Sequence, residues 1–346
     1  RHKNYEVIMT NDELCLSIAN VISNYRNGEF GKYDDAHVWR WIEQFDIDER
    51  RIVLEETNRI LKKNFISRES IDQLVDAVIS SRVVYGENKD NYWSSVSILD
   101  IQIRGNSQKE LNDIFCSKLS ETYDIHNIIN CESREYLYID DFIFSGGRVY
   151  SDLSSWLRDT MPDKCRICIV TIGWYIYGQY SLERRLKNLI SELRLDVELQ
   201  FCSFKNRRLE NRLYRRDFSE VFWPTSCVEE IPEVVDYIEK HGYEPKYRVQ
   251  NGIENSVFSR LRREEYEKIL LKYGLKILGL SNQNSPVVKP LGYHQFNEFG
   301  FGSTIFSFRN CPNNNPLVFW WGDPEAPDWH PFSKWYPLLQ RDTYGD

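Results

Sequence analysis

The chain has 346 residues, 41% hydrophobic and 14% aromatic, enough apolar side chains for one large domain or two moderate ones. No apolar run approaches the roughly 18–20 residues that cross a bilayer, and no signal-peptide pattern follows Arg1, so a cytoplasmic protein without a membrane partner is expected. A net charge of −8 excludes a nonspecific coat for nucleic acid while leaving room for a local basic patch.

Residues 1–82 read as a helical unit. Leu14, Ile18, Val21 and Ile22 form one stripe, and Val38, Trp41, Ile42 and Phe45 a second. A third runs through Ile71, Leu74, Val75, Val78 and Ile79, with Ser70 and Gln73 placed as a capping box. Stripes at this spacing are core-forming. Several short helices also suit a winged-helix DNA binder, but these carry as many acids as bases.

From Val83 onward strands alternate with helices, which predicts a mainly parallel sheet covered by helices. Val96–Ile103 reads as a strand, Arg104–Ser107 as a turn and Gln108–Leu119 as a helix. Further strands are expected at Tyr136–Ile139, Arg166–Ile172 and Val197–Phe201, with a helix around Leu182–Leu193. Val221–Trp223 reads as a short strand before a helix at Glu230–Glu239. Cys165 and Cys168 have C-x-x-C spacing, yet they open a strand-like run in which residues three apart face opposite ways. No second Cys/His pair stands at zinc-finger spacing, so the eight cysteines read as buried free thiols of a reducing compartment. His37, His126 and His241 stand in no metal-ligand or nucleophile pattern.

The most informative stretch lies near the middle. The apolar run Tyr136–Ile139 meets the acid pair Asp140-Asp141, then Phe142-Ile143-Phe144 and the turn Ser145-Gly146-Gly147-Arg148. A helical pattern starts at Val149, with Leu153, Trp156 and Leu157 on the same face. Backbone N–H groups around such a turn, at a helix start, stabilise an anion. The acids are suited to sugar hydroxyls or to a metal ion. An ordinary strand–turn–helix and a response-regulator receiver are rival readings, but the receiver has no glycine loop after its acid pair. No G-x-x-x-x-G-K-[ST] occurs, and no G-x-G-x-x-G follows an early strand.

These residues resemble the phosphoribosyl-pyrophosphate (PRPP) motif of type I phosphoribosyltransferases: four apolar residues, two acids, two apolar residues, any residue, then Thr-Gly-Gly-Thr. The resemblance implies that Asp140 and Asp141 face the ribose hydroxyls, with Mg²⁺ nearby. It implies that Ser145, Gly146, Gly147, Arg148 and Val149 wrap the 5′-phosphate. Ser145 keeps the hydroxyl of the first threonine. Arg148 replaces the last and brings a charge expected to pair with phosphate. By position, Arg104, Gly105, Asn106 and Ser107, with Lys109 close by, are candidates for the pyrophosphate end. An ordinary capped helix start accounts for that turn equally well.

Two further segments are notable. Arg208, Arg212 and Arg215 are expected on one helical face, either solvated beside Glu210 and Asp217 or in contact with nucleic acid. In the tail, Ile305–Phe308 and Leu317–Trp321 flank a polar Asn- and Pro-rich turn, which suggests a hairpin-like connection in an aromatic-rich extension from about residue 250. Together with Trp41-x-x-Gln44-Phe45 and the acid pair, this arrangement resembles the phosphoribosyltransferase-like effectors of prokaryotic conflict systems. That resemblance implies a type I phosphoribosyltransferase domain over 83–346 and an antiphage, toxic role held in check by partners. Some such effectors accompany a retron reverse transcriptase, with its DNA and RNA, and a winged-helix protein. The expected activity is transfer of phosphoribose from PRPP to an acceptor. The alternative is a nonenzymatic module that senses a nucleotide or PRPP.

Overall fold

The computed structural model describes residues 8–103, 107–126, 128–250, 255–281, 285–293 and 297–341. Three helices come first, α1 (Asn11–Ile22), α2 (Asp35–Ile42) and α3 (Arg50–Asn64), followed by the short strand β1 (Phe65–Ile66). Helix α1 starts where the Thr10 hydroxyl accepts the Glu13 N–H and the Glu13 carboxylate accepts the Thr10 N–H, satisfying two amides that a helix start leaves open. Leu14, Ile18 and Ile22 are buried on α1, as are Val38, Trp41 and Ile42 on α2 and Phe45 beyond it.

Next come α4 (Arg68–Ile79), α5 (Arg82–Tyr85), α6 (Lys89–Ser95), β2 (Ser97–Leu99), α7 (Ser107–Tyr123), β3 (Ile128–Ile129) and β4 (Glu135–Ile143). They are followed by α8 (Gly147–Thr160), β5 (Cys165–Tyr175), α9 (Ile176–Glu192), β6 (Val197–Cys202) and β7 (Arg208–Leu209). Strands β2 to β7 make one six-stranded sheet in the order β3-β2-β4-β5-β6, with β7 alongside the last residues of β5. Every pairing in it is parallel. Tyr136 and Tyr138 join a cluster with Leu153 and Leu157 of α8 and Leu182 and Leu186 of α9. Leu137 and Ile139 alternate to the other face and are buried too, so both faces are covered, as a parallel sheet requires. The expected α/β class with a mainly parallel sheet is the fold observed.

The remaining elements are α10 (Pro232–His241), α11 (Arg263–Leu280), β8 (Phe306–Ser307) and α12 (Leu317–Trp320). The chain divides into two compact units, one of residues 1–67 with 213–342 and one centred on 68–212. These limits differ from 1–82 and 83–346. Helix α4 packs on β5, so its apolar stripe belongs to the sheet unit. Residues from Leu213 onward belong to the same compact unit as the first three helices and share a core with them. In that core Trp41 stacks on Phe319 at 5.8 Å, Phe45 lies 4.5 Å from Tyr273, and Phe306 meets Phe319 edge-on at 5.1 Å. The Trp41 indole donates to the Val318 carbonyl, while Gln44 accepts the Tyr336 N–H and donates to the Tyr336 carbonyl. Trp41, Gln44 and Phe45 are thus packing and clamping residues.

Several local expectations are corrected. Val221–Trp223 is buried but forms no strand: Phe222 N–H donates to Gly302 and Trp223 N–H to the Glu267 carboxylate. Ile305–Phe308 and Leu317–Trp321 do not pair as a hairpin: β8 pairs in parallel with β1, and Leu317–Trp320 is a helical turn after Pro316. Helix α4 starts at Arg68, so Ser70 lies inside its first turn. The strand expected at 96–103 stops at Leu99, since the Gln108 side chain takes the N–H groups of Ile101 and Gln102. Arg208, Arg212 and Arg215 share no helical face: Arg208 lies in β7, and residues 210–217 form no helix. All eight cysteines are free, but only Cys15, Cys165, Cys168 and Cys311 are buried; Cys116, Cys202 and Cys227 are partly exposed and Cys131 is exposed.

Candidate functional site

From β2 the chain moves outward to β3, and from β4 it moves the opposite way to β5. The loops after β2 and β4 therefore diverge at the carboxyl ends of adjacent strands, the switch point at which open α/β sheets take ligands. The β2–β4 register ends at Leu99 and Tyr138, whereas β4 runs on beside β5 through Asp140, Phe142 and Ile143. Asp140 and Asp141 consequently stand at the lip of the sheet, where β4 has lost its neighbour on one side.

The loop that follows is tightly held. Gly146 precedes α8 with φ +76°, a left-handed conformation that glycine adopts without strain. A Cβ there would also lie 2.8 Å from the Leu182 Cβ and 2.9 Å from the Gly178 carbonyl oxygen. On the facing side, a Cβ on Gly178 would overlap the Phe144 carbonyl. The loop thus rests directly on the first turns of α9. The Gly147 N–H donates to the Ser145 hydroxyl at 3.3 Å, and the Tyr150 N–H closes the first α8 turn on the Gly146 carbonyl. Val149 is buried in the α8/α9 cluster, so its side chain serves the core rather than a ligand.

Arg148 does not stand apart from the acids. Its Nη2 lies 2.6 Å from Asp140 Oδ2 and 3.5 Å from Asp141 Oδ1. The other Asp140 oxygen accepts the Asp141 N–H, and Asp141 Oδ1 accepts the Phe142 N–H. Asp140 is buried, its side chain 1% exposed, whereas that of Arg148 is 43% exposed. Burial pushes the Asp140 carboxyl up to about 6, against the downward pull of Arg148. Arg148 is raised in turn, first by the charge of Asp140.

These contacts bear on magnesium. Both Asp140 oxygens and one of Asp141 are already hydrogen-bonded, and a guanidinium charge sits between the carboxylates. Among the described residues no group of three or more His, Cys, Asp or Glu side chains could hold a metal ion. The acid pair as it stands does not fit a protein-held Mg²⁺, which requires a near-octahedral set of oxygens.

Arg104, Gly105 and Asn106 lie outside the described residues. Ser107 is the first residue of α7, and Lys109 is exposed two residues on. The flanks of this turn expose residues that sequence reasoning missed. The buried Gln108 side chain accepts the N–H groups of Ile101 and Gln102 at 2.9 and 3.0 Å. Asn112 donates to the Leu99 carbonyl at 3.1 Å. Asp152, on the second turn of α8, accepts the Ile103 N–H at 3.1 Å and the Tyr138 hydroxyl at 3.0 Å. Gln108 and Asp152 thereby tie the chain leaving β2 to α7 and α8, beside the acid pair. A polar residue in the first turns of an otherwise apolar helix face was the available signal.

Parallel strands, an acid pair at the switch point and a glycine-started helix beside it define a phosphoribosyltransferase-like protein. The chain belongs to the PRTase-CE family, whose model matches residues 38–341. No curated protein and no solved structure matches it significantly. Among the described residues no helix is long and apolar enough to cross a membrane.

Proposed function

We propose that the chain binds PRPP and transfers its phosphoribosyl group to an acceptor, acting as an effector in antiphage defence. The observation that carries this reading is the position of Asp140 and Asp141 beside the Ser145–Arg148 loop, within a chain of the PRTase-CE family. Asp141 and Asp140 would orient the ribose hydroxyls, and the N–H groups at the start of α8 would receive the 5′-phosphate. In the reaction the bond from C1′ to pyrophosphate breaks and the bond from C1′ to the acceptor forms. Positive charge develops on the ribose and negative charge on the leaving pyrophosphate. This chain's contribution would be positioning and fixed electrostatics, with no covalent intermediate.

The acceptor in this reading is a nucleobase, nicotinamide, a nucleic acid or a protein side chain. Nucleic-acid contact through Arg208, Arg212 and Arg215 has less support than the sugar-phosphate site. Arg212 pairs with Glu210 at 2.5 Å, Arg215 with Asp217 at 3.4 Å, and Arg208 covers the Trp174 ring at 4.5 Å. A controlling retron reverse transcriptase with its DNA and RNA, and a winged-helix protein, belong to the same proposal.

A nonenzymatic sensor of PRPP or a nucleotide is the second reading, and the Arg148–Asp140 ion pair favours it because it engages a carboxylate otherwise used for ribose. Pyrophosphate release from PRPP, measured with a panel of acceptors, separates the two. Release that stops in Asp141→Asn supports the transferase. PRPP binding without release in any condition supports the sensor.

A further inference from the structure

Arg148 occupies the first turn of α8, where the helix dipole favours anions and disfavours a cation. Two carboxylates hold it there, through contacts of 2.6 and 3.5 Å. A phosphate dianion brought to the start of α8 beside two carboxylates needs a positive charge between them. A divalent metal is one source of that charge, but here a guanidinium already lies against both acids, and three of their four oxygens carry hydrogen bonds.

Arginine is suited to a bridge of this kind. It stays charged at all working pH, and its planar fork carries five N–H donors. Among the described residues its hydrogen bond to the acids runs through Nη2 alone. At 43% exposure the side chain also meets solvent, from which a phosphate would arrive.

We propose that Arg148 is the built-in cation of this site, linking the acid pair to the phosphate of a 5′-phosphorylated ribose so that this end of the ligand binds without a divalent metal. The inference rests on the sugar-phosphate reading above. It gives a reason for an arginine where the resembling motif ends in threonine. Magnesium that accompanies PRPP would belong to the pyrophosphate oxygens as part of the substrate complex.

The test is calorimetric titration with ribose 5-phosphate, which lacks pyrophosphate, in EDTA and again in millimolar magnesium. Wild-type affinity is expected to differ by less than about twofold between the two, a difference near the resolution of the method. Arg148→Thr, shown to be folded by circular dichroism, is expected to lose at least ~10-fold in EDTA through loss of the charged contact, and to recover part of it with magnesium. Arg148→Lys keeps a point charge without the fork, so an intermediate loss is expected. Wild-type binding that requires magnesium overturns the proposal, as does Arg148→Thr binding in EDTA as tightly as wild type. If Arg148→Thr does not fold, the wild-type comparison alone decides. Absence of wild-type binding in both buffers overturns the sugar-phosphate reading itself, a result distinct from magnesium dependence.

Discussion

The Arg148 guanidinium lies 2.6 Å from the carboxylate of Asp140, a residue eight positions earlier and buried at the end of β4. Helix start and strand end are thus joined by one ion pair at the point where the sheet changes direction. That pair sets the charge of the site and gives it a pH dependence.

Burial outweighs the arginine in setting Asp140, whose carboxyl is pushed up to about 6 from the ordinary 3.8. The folded protein then holds the Asp140 proton more tightly than the unfolded chain does. Stability from this group is present below pH 3.8, is lost as pH rises to about 6 and is level above that. Urea unfolding across this range should show a downward slope that Asp140→Asn flattens. In Arg148→Met the carboxyl loses its counter-charge and its pKa should rise further. Carbon-13 titration of the Asp140 carboxyl reads this directly, and an unchanged or lower pKa in Arg148→Met contradicts the pairing.

Gly146→Ala introduces a Cβ 2.8 Å from that of Leu182 at a residue with φ +76°. Backbone strain alone predicts a loss of roughly 1–3 kcal/mol in urea unfolding, with the contact adding to it. A loss below about 0.5 kcal/mol, within the scatter of surface substitutions, would show that the loop is not pinned against α9.

Gln108→Ala should release the amides of Ile101 and Gln102, which that side chain now receives. A cost of about 1–3 kcal/mol follows from unpaired polar groups if they stay buried. Hydrogen exchange resolves the effect by residue. Faster exchange at Ile101 and Gln102, with Leu137 in the sheet unchanged, is the expected pattern; uniform change across the sheet contradicts it.

How much of this was legible beforehand differs by residue. Tyr136–Val149 was readable because an apolar run, two glycines and a change of period each leave a mark on the sequence. The direction of the Arg148 side chain leaves none: an arginine after a glycine loop suits a phosphate and a nearby acid equally. Leu317–Trp321 suits a strand and a buried helical turn equally, because a short apolar run lacks a period that separates the two. The helical face expected for Arg208, Arg212 and Arg215 rests on charge spacing alone, without an apolar stripe to pack a helix. Gln108 and Asp152 leave only the mark of a polar residue on an apolar helix face; that they receive backbone amides from a loop shows once the fold brings that loop to them.

In the other unit, Glu267 is fully buried between Arg248 and Arg263, with contacts of 2.8 and 2.9 Å, and also accepts the Trp223 N–H. Glu267→Ala leaves two buried guanidinium groups without their carboxylate, and a loss of about 3–5 kcal/mol is expected in urea unfolding. A loss below about 1 kcal/mol would indicate that water or other groups replace it.

In the proposed function the acid pair and the α8 start bind a 5′-phosphorylated ribose. Calorimetric titration of PRPP into wild type and Asp141→Asn tests it most directly, because Asp141 is the more exposed acid and its removal leaves the Asp140–Arg148 contact intact. Saturable one-to-one binding by wild type, weakened at least ~10-fold in the folded variant by loss of a charged hydrogen bond, is the predicted result. Equal affinity in both proteins, or no binding by wild type, would contradict it.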